Sequence, residues 1–450
     1  MPQLYDAGAL VALDDYIDKY PNIKNYFTEQ EWDQLRQDDG HIYWIPQFCV
    51  SQGENVEVTH TGEAFCIQTR VLKWAGYPKI TTVDEYFDLI EAYVQANPAM
   101  PDGTPNIPFT VLCDDWRFFC LENVPQFLAG YPNDGSCMVD PGNDQVIDYN
   151  TTETARRYFQ KLNEEYRKGI FDPQSFTSTY EEYLDKLGTG AVLGMVDQWW
   201  QFYYNLAEPY ETNGLSDLGC DYVPLPITMD KGTSNQWHTS RNAEMDTSSG
   251  LSITTSCEDV QGALQFVNDL LDSDITKLRF WGEKDLDYSV DENGMFYMNS
   301  EQGKRHGDSV LNESHFCPYS YFPRVEGLLD DGINAFSMEY QPVEFMKSLK
   351  PDIRECFEAY GVQNYVELLG TNEAPGAWYP MYSYTQSLSS KSKGGMIRDE
   401  IDAVKRSWLP QVIMSDDFAS TWDAYMAAYQ ECNPQDYFDI LQRHVDQILQ

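Results

Sequence analysis

A chain of 450 residues is too long for one hydrophobic core, so two domains are the natural division. Its 72 acidic residues against 30 basic ones give a formal charge of -42, and with no basic stripe to offset that field nucleic acid is excluded as a partner. At 42% hydrophobic and 14% aromatic the chain folds as a globule, and it holds no run of 18 apolar residues to span a bilayer.

Residues 1–20 read as two short helical segments, one ending near Leu10 and one running from Leu13 to Tyr20, where Pro21 stops it. Residues 29–36 are helical, Asp38-Asp39-Gly40 is a turn, and HIYWIP (41–46) is a short strand. After a polar, irregular stretch over 49–61, EAFCIQTRV (63–71) is a strand entering a helix. Residues 83–96 form a strong helix that Thr81 or Thr82 can cap, with an acid three residues on. A Pro/Gly loop leads to the strand IPFTVL (107–112), which delivers Cys113, Asp114, Asp115, Trp116 and Arg117 at its carboxyl end, and a helix then runs to Phe127. Thr152 caps a further helix that reaches about Arg167.

Residues 179–210 carry the strongest signal. An amphipathic helix over 180–187 puts Tyr183, Leu184 and Leu187 on one face and is broken by Gly188-Thr189-Gly190. The apolar run 191–196 is a buried strand, and Asp197, Gln198, Trp199 and Trp200 follow it where a new helix begins. Open α/β sheets bind ligands at such strand ends. Adjacent side chains point in different directions, so the two indoles do not share one core and at least one is left to face a ligand. Downstream, 220–226 and 250–253 are strands, 258–271 is a helix, and 281–291 and 370–384 are aromatic patches. The tail is helical over 397–408, 418–429 and 434–449.

Sugar faces are bound by flat rings and sugar hydroxyls by planar donor–acceptor groups. That chemistry selects Asp115, Trp116 and Arg117 beyond one strand, and Asp197, Trp199 and Trp200 beyond another. Trp237 in a polar loop and Trp281 beside Arg279 are further candidates; Trp44, Trp408 and Trp422 read as structural. Arg117 can instead pair with an acid, leaving Trp116 in the core, and Trp281 can instead meet Arg279 in a cation–π contact. The ten cysteines and six histidines show no metal spacing, and no nucleotide-binding or nucleophile-elbow motif occurs. Asp285, Asp287, Asp291, Glu292 and Asn293 are rich in oxygen but lack EF-hand spacing, so no metal is expected. The strand–helix alternation gives an α/β fold of two lobes, with the chain crossing between them more than once.

Several segments, in order, are similar to one family: YDAGALVALDDYIDKYPN (5–22), DDGHIYWIP (38–46), VLKWAGYPKITTVDEYFDLIEAY (71–93), LNEEYRKGIFDPQSF (162–176), GAVLGMVDQWW (190–200), SGLSITTSCEDVQGALQFVNDLL (249–271) and SDDFASTWDAYMAAYQECNPQDYFDILQ (415–442). The chain resembles the family 1 extracellular solute-binding proteins of bacterial ABC importers, the maltose-binding-protein-like carbohydrate receptors. The resemblance implies a two-lobe, type II periplasmic-binding-protein-like fold, with 1–66 and 250–380 in the N-terminal lobe and 67–249 and 381–450 in the C-terminal lobe. It implies an oligosaccharide bound in the interlobe cleft and delivered to the permease transmembrane subunits, by a monomer with no catalytic residue and no cofactor. It adds Glu63, Trp378 and Tyr379 as ligand contacts and places Trp199 and Trp200 at the family's stacking position. It also implies a cell-surface lipoprotein outside the cytoplasm, whose leader and first strands are missing from this chain. Residues 100–106 (MPDGTPN) hold one acid where long members carry a calcium loop, so calcium is not expected there. The competing reading is a secreted glycoside hydrolase using Asp114/Asp115 or Asp197/Glu208, which requires two carboxyls facing across a sugar.

Overall fold

The computed structural model describes residues 2–449 apart from 48–49, 53–55, 133–136, 240–245, 309, 311–321, 371 and 373–374. Cys49, Cys317 and His315 lie outside the described residues, and the described cysteines are free thiols. The chain forms two compact units: Met1–Glu57, Ser240–Ser348 and Ser383–Ser389 make the first, and Val58–Thr239, Leu349–Tyr382 and Ser390–Gln450 the second.

In chain order, the elements that matter here are β1 (Trp44–Ile45), β2 (Glu63–Gln68), α1 (Val83–Ala96), β3 (Ile107–Val111), α2 (Glu153–Lys168), α3 (Tyr180–Gly188), β4 (Val192–Gln198), α4 (Trp199–Thr212), β5 (Tyr222–Leu225), β6 (Leu251–Ser252), α5 (Val260–Leu270), α6 (Ser273–Trp281), α7 (Pro351–Tyr360), α8 (Lys393–Met414), α9 (Phe418–Glu431) and α10 (Pro434–Ile448).

In the first unit β1 pairs antiparallel with β6. The core gathers Leu13, Ile23, Trp32, Ile45, Leu264, Trp281 and Phe296. The Asp259 side chain accepts from the Gly262 N–H and so starts α5.

The second unit is built on a four-stranded sheet in the order β3-β4-β2-β5. β3 and β4 are parallel, with Ile107 opposite Val192 and Val111 opposite Val196. β2 runs antiparallel to β4, with Glu63 opposite Gln198, and antiparallel to β5. The carboxyl ends of β3 and β4 and the amino end of β2 therefore share one edge. β4 is buried along all but its last residue, as expected of a strand covered on both faces. Gly194 in its middle is required: a Cβ there would sit 2.2 Å from Tyr86 Oη, which reaches over from α1 to donate to the Cys66 carbonyl at 2.7 Å. Local chemistry sets the helix starts, with Thr82 accepting from the Glu85 N–H, Thr152 from Ala155 and Thr179 from Glu182.

Two differences from the sequence reading have clear causes. The chain passes into the second unit by residue 58 rather than 66, because the first residues of β2 are already paired in the central sheet. Residues 349–382 also belong there, because α7 is tied to the helix Thr69–Trp74 by the Thr69 Oγ1 to Asp352 bond of 2.7 Å and the Lys73–Glu355 ion pair of 2.6 Å. The second difference is in α8, which runs through Pro410 to Met414 instead of stopping at Trp408. Leu409, Val412 and Ile413 are buried, and Asn163 on α2 donates to the Ile413 and Ser415 carbonyls at 2.9 and 2.7 Å, so packing outweighs the N–H that proline lacks.

Candidate functional site: an aromatic surface at one end of the sheet

β3 ends at Val111, and the chain turns through Asp114 into a short 3-10 helix, Asp115–Phe118. β4 ends at Gln198 and passes directly into α4. The parallel pairing of β3 and β4 places both exits side by side, and two indoles meet there. Trp116 and Trp200 lie 5.9 Å apart, centroid to centroid, within 9° of parallel. They remain 47% and 41% exposed. Trp200 Nε1 donates to Gln198 Oε1 at 3.1 Å, which fixes the ring against the strand end.

Arg117 supports this surface from beside it. Its guanidinium lies 4.6 Å from the Trp116 ring and 3.9 Å from the Tyr180 ring, and its Nε is buried with no hydrogen-bond partner among the described residues. Tyr180 is anchored in turn: its N–H donates to Asp114 Oδ2 at 2.9 Å, and its hydroxyl donates to the Gln201 carbonyl. Asp115 adopts a positive φ of 48° and projects into solvent, 3.8 Å from Arg406.

Asp197 is fully buried beneath the surface and does not present itself to a ligand. It accepts from Tyr183 Oη, the Gln198 N–H and Gln201 Nε2, each at 2.7 Å, and from the Cys120 thiol at 3.4 Å. One carboxyl thus joins α3, the first turn of α4 and the helix after Trp116. Burial pushes its pKa up to about 7 against the opposing pull of those donors. Glu63 is also fully enclosed, and its carboxyl oxygens have no hydrogen-bond partner among the described residues. Desolvation, then the charges of Asp197 and Glu122, raise it well above the ordinary carboxyl range. Behind the surface, Lys405 of α8 is buried and pairs with Glu122 at 3.0 Å.

The remaining candidates sit elsewhere. Trp199 is 4% exposed and turns inward, stacked on Tyr203 at 4.3 Å and tilted against Tyr365 at 4.8 Å. Trp237 is core: it stacks on Phe127 at 3.9 Å, and its Nε1 donates to the Ile227 carbonyl at 2.6 Å. Trp281 is buried in the first unit and donates to the Ala335 carbonyl at 3.0 Å, and the Arg279 guanidinium lies over the Phe280 ring, 5.6 Å from its centroid. Trp378 is buried, with its edge toward a half-buried Tyr379. Within the second unit the structure brings together Asp115, Trp116, Arg117 and Trp200, with Asp197 buried beneath them, while Trp237 and Trp378 are buried side chains of that unit and Trp281 is a core side chain of the first.

The sequence reading missed Tyr180, the ring on which Arg117 rests, and the exposed Tyr203 and Tyr204 of α4. It also missed a buried pair, His60 and His238, whose Nδ1 atoms face each other at 3.1 Å across 178 residues of sequence. Only the helical spacing of Trp200 and Tyr204 was available as a signal. A cavity of about 520 Å³ lined by Asn106, Ile107, Tyr166 and Asp416 opens at the opposite end of β3 and takes in neither Trp116 nor Trp200.

No family model matches the chain. In sequence it is similar to the fructooligosaccharide ABC transporter substrate-binding protein FusA of Streptococcus pneumoniae, at 25% identity over 250 residues, which is 53% of this chain and 42% of the relative. The match thus spans less than half the length of that relative. In structure it is similar to an extracellular solute-binding protein from Bifidobacterium longum subsp. infantis, with a TM-score of 0.62 at 15% identity over 100% of this chain and 86% of the other. The chain has the solute-binding-protein fold. A solute-binding protein associated with an ABC transporter of Bifidobacterium longum infantis, described as binding HMO, agrees with a TM-score of 0.60 at 16% identity over 98% of this chain and 84% of its own. Set within the solute-binding-protein fold, the aromatic surface lies where an open α/β sheet receives its ligand, at the carboxyl ends of parallel strands.

Proposed function

We propose that the protein is the substrate-binding component of an ABC importer, that it holds an oligosaccharide unaltered on the Trp116–Trp200 surface, and that it passes the sugar to the permease subunits. The observation that carries this reading is the pair of near-parallel, half-exposed indoles, with the exposed Asp115 beside them and the Arg117 guanidinium over the Trp116 ring. Large aromatic rings kept at the surface call for a partner, and the C–H face of a sugar ring suits them. The protein acts outside the cytoplasm, as importers of this kind require, and binds as a monomer; among the described residues no helix is long and apolar enough to cross a membrane.

Binding without chemistry fits the carboxyls near this edge. Asp197 is engaged by four donors and Glu63 is enclosed, so neither is offered to a glycosidic bond. Incubation with oligosaccharides followed by product analysis tests the reading: saturable binding with the sugar recovered intact is expected, and release of shorter sugars would show a hydrolase instead.

A further inference from the structure

We propose that Asp221 and Asp352 share one proton and that this proton latches residues 349–369 to the sheet of the second unit, so that the segment is held fast in mildly acidic surroundings and loosens as the pH rises through neutrality. The latch does not depend on which ligand the protein takes.

Asp221 precedes β5, and Asp352 stands in the first turn of α7. Their carboxyls lie within hydrogen-bonding reach of each other. Asp221 is 9% exposed, and its Oδ2 and the Asp352 Oδ1 are buried with no donor among the described residues. The other two oxygens are served. Lys350 Nζ donates to Asp221 Oδ1 at 3.2 Å, and the Thr69 hydroxyl donates to Asp352 Oδ2 at 2.7 Å. That hydroxyl is free to do so, because the Gly219 carbonyl, 3.0 Å away on its other side, already accepts from the Arg70 N–H at 2.9 Å. Ionised carboxylates only accept, so two of them in contact lack a hydrogen between them. The hydrogen-bond count therefore closes with one added proton, between the two unserved oxygens.

The cation decides which carboxyl keeps it. Lys350, which also donates to Ser216 Oγ at 2.9 Å, lies against Asp221, so the charge of the pair rests there and the proton on Asp352. Burial, then the charge of Asp221, pushes the Asp352 carboxyl up to about 6, against the pull of Thr69 and the Ile353 N–H. The other ionisable groups packed around the pair give no competing titration between pH 5 and pH 8. Arg70 and Lys73, on the helix Thr69–Trp74, are cations, and Lys73 with Tyr77 holds Glu355 below the ordinary carboxyl range. Burial pushes the thiols of Cys220 and Cys356 up to about 11 and about 12, and raises the phenols of Tyr77, Tyr210 and Tyr365. Asp217, on the short helix Ser216–Leu218, is exposed.

The latched segment bears Tyr365. Its N–H donates to the Val58 carbonyl at 3.1 Å, and its ring lies 4.8 Å from Trp199 and 5.0 Å from Phe357. Loosening of 349–369 thus reaches the cover of Trp199, at the start of α4.

The test is hydrogen exchange of the full chain from pH 5 to pH 8, corrected for the intrinsic effect of pH on exchange and read on residues 349–369. The Asp352 carboxyl at about 6 when latched, against 3.8 when released, favours the closed segment at low pH and loses that advantage as pH rises. Opening should be about tenfold more frequent at pH 7 than at pH 5. Asp352→Asn carries a permanent N–H toward Asp221 and an oxygen toward Thr69, so its protection should be flat with pH and at least equal to wild type at pH 7. Asp221→Asn removes the neighbouring charge and supplies its own N–H, so the change should move to lower pH. Wild-type protection that ignores pH, the same pH dependence in Asp352→Asn as in wild type, or an unmoved midpoint in Asp221→Asn would each overturn the inference. Should Asp352→Asn fail to fold, the wild-type profile and Asp221→Asn decide.

Discussion

Trp116 and Trp200 arrive from the ends of two different parallel strands, yet their rings come within 9° of parallel at 5.9 Å. Neither is buried, so neither is placed by the core. Asp197 is buried beneath the surface they form, and the Arg117 guanidinium lies over the Trp116 ring. If that surface binds sugar, Trp116→Ala and Trp200→Ala should each weaken binding by about 1–3 kcal/mol, taking base stacking as the guide. The rings are in contact, so the double variant should lose less than the sum of the single losses. Titration calorimetry on the three variants measures both effects.

Asp197 should dominate stability at this edge. Replacement by Ala leaves Tyr183, Gln201 and the Gln198 N–H without their acceptor in a closed site, where each unsatisfied group costs about 1–3 kcal/mol. Asp197→Asn keeps one acceptor oxygen for the Gln198 N–H and Gln201 Nε2 and turns an N–H donor toward the Tyr183 hydroxyl, which can accept, so it should be milder than Ala. Urea unfolding of the two variants separates them, and near-equal losses would remove the assigned role.

The same carboxyl predicts a pH dependence with a definite sign. Its folded pKa of about 7 lies above the ordinary 3.8, so the folded state holds a proton that the unfolded state has released. Stability from this group is full below about pH 4 and is lost as pH rises to about 7, with an upper bound near 4 kcal/mol. Asp197→Asn cannot titrate, so the difference in unfolding free energy between it and wild type should grow in favour of the variant from pH 5 to pH 8. A constant difference over that range would show that the group does not titrate there.

Trp237 and Trp281 should behave as packing residues. Each is buried and bonded through Nε1, so Trp→Ala at either position should cost about 3–5 kcal/mol in its own unit. Phe at the same positions should recover part of the loss. If the variants remain folded with unchanged melts but lose sugar affinity, these rings are ligand contacts after all.

How much of this was legible in the sequence differs from residue to residue. The strand was read as 191–196 from an apolar run that follows the glycine break at 188–190, and it extends two residues further, to Gln198, before α4 starts at Trp199; helix α1 was read to the residue because Thr82 and its acid mark the start. The divergence of Trp199 and Trp200 was legible too, since neighbours on a helix point apart. What no local pattern could give is which of the two faces out. That is decided by Tyr203 and Tyr365 closing over Trp199, and Tyr365 comes from a segment far along the chain. Trp237 looked exposed because its flanks are polar, yet Phe127 and the Ile227 carbonyl absorb both its face and its N–H. Glu63 entered as a contact through the family resemblance, and the structure places it opposite Gln198 of β4 with no exposed surface. Pairing between distant segments, not periodicity, sorted the candidates.

The central claim is tested most directly by titrating the wild-type chain and the Trp116→Ala/Trp200→Ala variant with the same neutral oligosaccharide, with chromatography of the sugar afterwards. The account predicts saturable binding by wild type, loss of about tenfold or more in the variant, and sugar of unchanged length in both. Undiminished affinity in the variant, or shortened sugar after incubation with wild type, would contradict it.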